Sequence, residues 1–99
     1  VMEPPVYSTR LDQNRPNPFN PRTSLRFALE SPDHVTLAIY DVLGRRVRTL
    51  IDDVLGAGPH VDFWDGLDER GVQVASGVYL YKLTTGSGFG QSRKMVLLR

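Results

Sequence analysis

Clusters of turn-forming residues cut this chain into short pieces. Glu30-Ser31-Pro32-Asp33, Asp41-Val42-Leu43-Gly44, Gly56-Ala57-Gly58-Pro59, Asp65-Gly66, Asp68-Glu69-Arg70-Gly71 and Thr84–Gly90 follow one another at short intervals. Such spacing leaves little room for a globular helix, and no convincing helical pattern fills the gaps. Period-two alternation fills them instead. Leu25, Phe27 and Leu29 alternate with Ser24, Arg26 and Ala28, and Val35, Leu37 and Ile39 alternate with Thr36, Ala38 and Tyr40. Each run reads as a half-buried strand.

The remaining runs extend the pattern. Arg45–Ile51 reads as a strand with Val47 inward, His60–Trp64 as a strand after the Gly56–Pro59 breaker, and Val72–Val74 as a short one. Gly77–Thr84 is the strongest β segment; Val78, Tyr79, Leu80 and Tyr81 are consecutive apolar residues, the mark of a central strand covered on both faces. Ser92–Leu98 closes the chain. About seven strands at regular spacing predict an all-β fold, an Ig-like antiparallel β-sandwich. Gly44 and Gly71 stand where their turns require positive φ. Gly77 opens the central strand, and Phe19, Trp64 and Tyr79 are expected as core anchors.

Ahead of the first long strand lies Gln13-Asn14-Arg15-Pro16-Asn17-Pro18-Phe19-Asn20-Pro21. Its prolines forbid a regular ladder, and Phe19 is its one apolar side chain able to pin it to a core. Residues 1–10 read as a linker or N-terminal arm, leaving 11–99 as the domain. The first residues lack a charged-then-apolar signal pattern, so the sequence reads as a mature chain or as a piece of something longer.

Twelve Lys+Arg against eleven Asp+Glu leave a net charge of +1, which gives no global field for nucleic acid or an anionic membrane surface. Cysteine is absent, removing disulfides, thiolate metal sites and cysteine nucleophiles. Neither nucleic-acid binding nor membrane insertion is expected. His34 and His60 have no second ligand at metal-like spacing, no serine sits in a Gly-x-Ser-x-Gly elbow, and Gly86–Gly90 has no helix behind it to receive a phosphate. No enzyme activity and no cofactor are expected. Two candidates remain. Arg45, Arg46 and Arg48, with Arg26 or Lys94 from a neighbouring strand, form a basic patch for an anionic partner. Asp65, Asp68 and Glu69 are a calcium candidate, although Asx-turn capping accounts for the same residues.

Five motifs then occur in a recognisable order: Gln13–Pro21 as written above, Tyr40-Asp41-Val42-Leu43-Gly44-Arg45-Arg46-Val47-Arg48-Thr49-Leu50, Trp64-Asp65-Gly66-Leu67-Asp68-Glu69-Arg70-Gly71, Ala75-Ser76-Gly77-Val78-Tyr79 and Arg93-Lys94-Met95-Val96-Leu97-Leu98. They resemble the C-terminal sorting domains of type IX secretion substrates and the Ig-like domain of the flagellar hook-capping protein (FlgD-like). The resemblance implies a non-catalytic module that carries a larger extracellular bacterial protein through the periplasm to the outside or to the cell surface. It further implies that sorting information lies in the last strands, here Arg93, Lys94, Met95, Val96, Leu97 and Leu98. The implied partners are the secretion machinery or neighbouring domains. Met95 and Leu97 alternate with Val96 and Leu98, so the last strand is apolar on both faces and needs a cover, while Arg93, Lys94 and Arg99 bracket it with positive charge. A rival reading is a structural subunit that self-associates through strand edges to build a fibre or surface layer. A carbohydrate-binding module ranks last, since Trp64, Tyr79 and Tyr81 suit a core.

Overall fold

The computed structural model describes residues 6–99. Its seven strands are β1 (Arg10–Leu11), β2 (Thr23–Leu29), β3 (Asp33–Asp41), β4 (Arg46–Leu55), β5 (Gly58–Trp64), β6 (Gly77–Thr85) and β7 (Gly90–Leu97). They form two antiparallel sheets, ordered β1-β2-β5 and β4-β3-β6-β7. The fold is an Ig-like β-sandwich without a helix among the described residues. Period two decides what faces inward: Leu25, Phe27 and Leu29 from one sheet meet Val35, Leu37, Ile39, Tyr81, Leu83, Met95 and Leu97 from the other, all essentially inaccessible to water.

Several boundaries differ from the sequence expectation. The linker reading of residues 1–5 lies outside the described residues; Thr9 Oγ accepts from Glu30 N at 3.0 Å, and Arg10 already pairs with Ala28. Gly58 and Pro59 open β5 rather than breaking the chain. Pro59 pairs with Ala28, and β2 turns the N–H and C=O groups of its even residues toward the β1 side, as the Asp12 N–Arg26 O bond and the mutual Arg15–Ser24 bonds show. The missing proline N–H therefore points off the sheet and removes no ladder bond. Strand β4 runs on to Leu55 because two bulges, between Leu37/Ala38 and Ile39/Tyr40 on its partner, absorb Leu50 and Val47. Those extra residues break strict alternation and let both side chains reach the core.

Residues 72–74 form no strand; a single Leu67–Gln73 bridge stands there. Strand β6 is central, but it is not covered on both faces: Tyr79, Tyr81 and Leu83 are buried while Val78 stays 41% exposed. The outer face of the four-stranded sheet carries no further layer among the described residues.

At Gly44 and Gly71 the φ values are +81° and +76°, and nothing lies within 4 Å of where a Cβ would stand. A side chain there meets no clash, so Gly44→Val or Gly71→Val should destabilise by backbone strain alone, about 1 kcal/mol or more. Chemical denaturation reads this directly, and unchanged midpoints would contradict it.

Candidate functional site

The terminal strand is where sequence and structure meet most closely. Met95 and Leu97 are fully buried; Val96 is half-buried, and Lys94 and Leu98 are exposed. On its free edge, β7 is held by the proline-rich loop. Phe19 N donates to Val96 O at 2.9 Å, Leu98 N donates to Phe19 O at 2.9 Å, and Val96 N donates to Asn17 Oδ1 at 3.0 Å. Phe19 itself is buried against Trp64, ring centroids 5.7 Å apart. The loop thus stands in for an eighth strand. All three Xaa-Pro bonds in it are cis.

The same loop stitches the two sheets together. Gln13 Nε2 donates to Lys94 O at 2.7 Å and Arg93 Nε donates to Leu11 O at 2.7 Å. Between them Tyr81 Oη donates to Asp12 O at 2.6 Å and accepts from Asn14 N at 2.8 Å, while Asn14 Nδ2 reaches Thr23 Oγ1 and Pro16 O. Asn14 and Thr23 are the buried polar residues of the chain's described part, and both are satisfied. Arg99 clamps the far end through Nε to Val74 O and Nη2 to Gly66 O, each at 2.8 Å. Arg93 and Arg99 thus donate to backbone carbonyls while keeping their charge. Lys94 and Arg99 are exposed and Arg93 is half-buried.

Sequence spacing does not reveal this seam. Asn and Gln so close to prolines signal local turns, and nothing in their placement says that Asn17 reaches across to Val96.

Burial pushes the Tyr81 phenol up to about 12, against a hydrogen bond from Asn14 that pulls the other way. The folded state keeps this proton to higher pH than an unfolded tyrosine, which titrates near about 10. Its stabilising contribution is complete below that value and is lost as pH rises toward about 12. Tyr81→Phe should therefore flatten the fall of the urea midpoint across this alkaline window; an identical slope in parent and variant would contradict it.

Asp65, Asp68 and Glu69 do not assemble a calcium site. No cluster of metal-ligating side chains exists among the described residues. Asp65 Oδ1 takes Arg48 Nη1 at 3.0 Å, and Asp68 Oδ1 accepts from Arg70 N and Val72 N at 2.9 and 3.0 Å. Glu69 pairs with β4, its N donating to Val47 O at 3.2 Å and its carboxylate accepting from Thr49 N. Each carboxylate faces a different donor, so turn capping and edge cover account for all three. Hydrogen bonds, led by that from Val72 N, hold the Asp68 carboxyl below the usual carboxylate range; a backbone bond from Arg45 leads the same effect at Asp41.

The expected basic patch is also not assembled. Arg45 pairs with Asp41 at 2.8 Å and Arg48 with Asp65, while Arg26 lies on the other sheet and Lys94 on the opposite edge from β4. Neither histidine joins a cluster of three metal-ligating side chains among the described residues: His34 Nε2 pairs with Asp52 Oδ1 at 2.7 Å, and His60 stacks on Phe27 with centroids 5.2 Å apart.

Two sheets, a core sealed by Trp64 and Tyr79, and a loop acting as edge cover for the last strand define an Ig-like β-sandwich module. The pattern of the FlgD Ig-like domain matches residues 17–88, and the chain belongs to that family. The basal-body rod modification protein FlgD of Salmonella typhimurium is 43% identical over 61 residues, which are 61% of this chain and 26% of that protein. The chain thus spans about a quarter of the length of the curated relatives it matches. Dimeric latent PorU from Porphyromonas gingivalis is similar with a TM-score of 0.73 at 25% identity, over 94% of this chain and 10% of PorU. PorZ, an essential bacterial surface component of the type-IX secretion system of the same organism, is similar in fold with a TM-score of 0.64 at 22% identity, over 88% of this chain and 11% of PorZ.

Proposed function

We propose that this chain is a non-catalytic C-terminal module that directs a larger extracellular bacterial protein across the outer membrane and holds it at the cell surface. The terminal strand carries the reading. It is locked into the core by Met95 and Leu97 and held along its edge by the loop. Lys94, Val96 and Leu98 remain as the outward set, on the strand where the motif resemblance puts sorting information. A likeness that takes in nearly all of this chain and a tenth of PorU supports a small module within a larger protein. The partner in this reading is the secretion machinery, which meets a folded β-sheet face rather than a free tail.

The rival of strand-edge self-assembly has less behind it, because the edges are blunted. Asn17 and Phe19 cover β7 and Glu69 covers part of β4. Two further edge N–H groups are capped locally, Asp53 Oδ1 taking Val54 N at 2.8 Å and Asp62 Oδ1 taking Phe63 N at 2.7 Å. Strand β1 has only two residues.

The test uses a passenger fused to residues 11–99 in a bacterium with a type IX system. Deleting 92–99 should leave the passenger in the periplasm, but it also removes Met95 and Leu97 from the core. The sharper variant is Lys94→Glu with Leu98→Ser, which touches only exposed side chains. Folded, periplasmic passenger is the expected result. Undiminished export of both variants would overturn the sorting role.

A further inference from the structure

The outer face of the three-stranded sheet carries a different surface. Arg15, Arg22 and Arg26 line an open groove of about 430 Å³ together with Pro16, Thr23, Ser24 and Phe63. No carboxylate lines it, and the three arginines make no ion pair among the described residues. Beside them Val61 and Phe63 stand 46% and 45% exposed on the edge strand β5, with Val61 paired to Arg26 and Phe63 to Ser24. The Arg22 guanidinium sits 4.2 Å above the Phe63 ring, which holds it in place at small entropic cost. In a chain of net charge +1, three unpaired arginines on one groove are a local concentration of positive charge.

We propose that this face docks an acidic protein segment with an apolar side chain among its carboxylates. Guanidinium forks bind carboxylates in bidentate fashion, and arginine beside an exposed aromatic is the composition of protein-binding hot spots. An apolar partner side chain on Val61 and Phe63 would exclude water and strengthen the adjoining ion pairs. A sugar ring finds no bare platform, because Arg22 already occupies a face of Phe63. Strand addition along β5 is disfavoured, since Pro59 has no N–H and the Phe63 N–H is taken by Asp62, which leaves Val61 to offer the outward N–H between them. This inference is independent of the sorting role, whose outward residues lie on the other sheet.

The probe is a short oligoglutamate peptide with one central phenylalanine, titrated into the full chain at low salt and followed by amide chemical shifts. Saturable shifts at Ser24, Arg26, Val61 and Phe63 are expected. Arg22→Gln with Arg26→Gln should weaken binding about tenfold or more, as two charge-assisted pairs are lost, while Lys82→Gln on the opposite sheet should not. The dispersion of the variant spectrum verifies folding. Non-saturating or scattered shifts, insensitivity to the arginine variant, or tighter binding of a heparin oligosaccharide at the same residues would each overturn the proposal.

Discussion

Replacing Trp64 with alanine should produce the largest loss of stability of any single substitution in this domain. The indole is fully buried at the end of β5, wedged between Phe19 and Tyr79 with centroids 5.7 and 5.2 Å away. Its Nε1 donates to Leu67 O at 2.9 Å, so the side chain also fixes the 65–71 loop that covers β4. Truncation removes a large apolar group from water-free packing and strands a carbonyl. A buried aromatic-to-alanine change costs roughly 3–5 kcal/mol, against a total of about 5–15 kcal/mol for a typical domain. Urea denaturation followed by far-ultraviolet circular dichroism should show a midpoint far below the parent. A shift too small for about 1 kcal/mol would mean that the core relaxes around the cavity and that Trp64 is no keystone.

Phe19→Ala should have a comparable effect through a different route. Phe19 is buried from a loop that has few ladder bonds of its own, and its backbone bonds to Val96 and Leu98 persist only while the ring anchors it. Its loss should cost about 3–5 kcal/mol. The local signature separates it from Trp64→Ala: once the loop lets go, the edge of β7 is open. Hydrogen exchange should accelerate first at Val96 and Leu98, and aggregation should follow at concentrations the parent tolerates. Uniform acceleration across both sheets would instead place Phe19 in the general core and remove its role as edge cover.

Much of the frame is legible in the amino-acid sequence. Alternation of Leu25, Phe27 and Leu29 shows which face of β2 is buried because side chains in a strand alternate whatever the partner. Gly44 and Gly71 mark turns by a local steric rule. The expectations that fail have a common cause. Proximity along the chain groups Asp65, Asp68 and Glu69, yet Asp68 caps its own turn and Glu69 bonds a strand some twenty residues away. Joining Arg45, Arg46 and Arg48 to Arg26 or Lys94 requires knowing which sheet each strand enters, and local pattern does not carry that. The groove of Arg15, Arg22, Arg26 and Phe63 is hidden for the same reason, since it gathers a loop and two strands.

Local sterics and period-two burial were enough to read off the class of fold, the inward faces of β2 and β3 and the turns at Gly44 and Gly71. Strand order, the bulges that add Leu50 to the inward side of β4 beside Val47, and the use of Asn14, Asn17, Arg93 and Arg99 as long-range hydrogen-bonding groups come instead from three-dimensional packing. Those choices rest on which backbone groups are left unpaired when two sheets meet. A polar side chain carries no local sign of the distant carbonyl or amide that will need it.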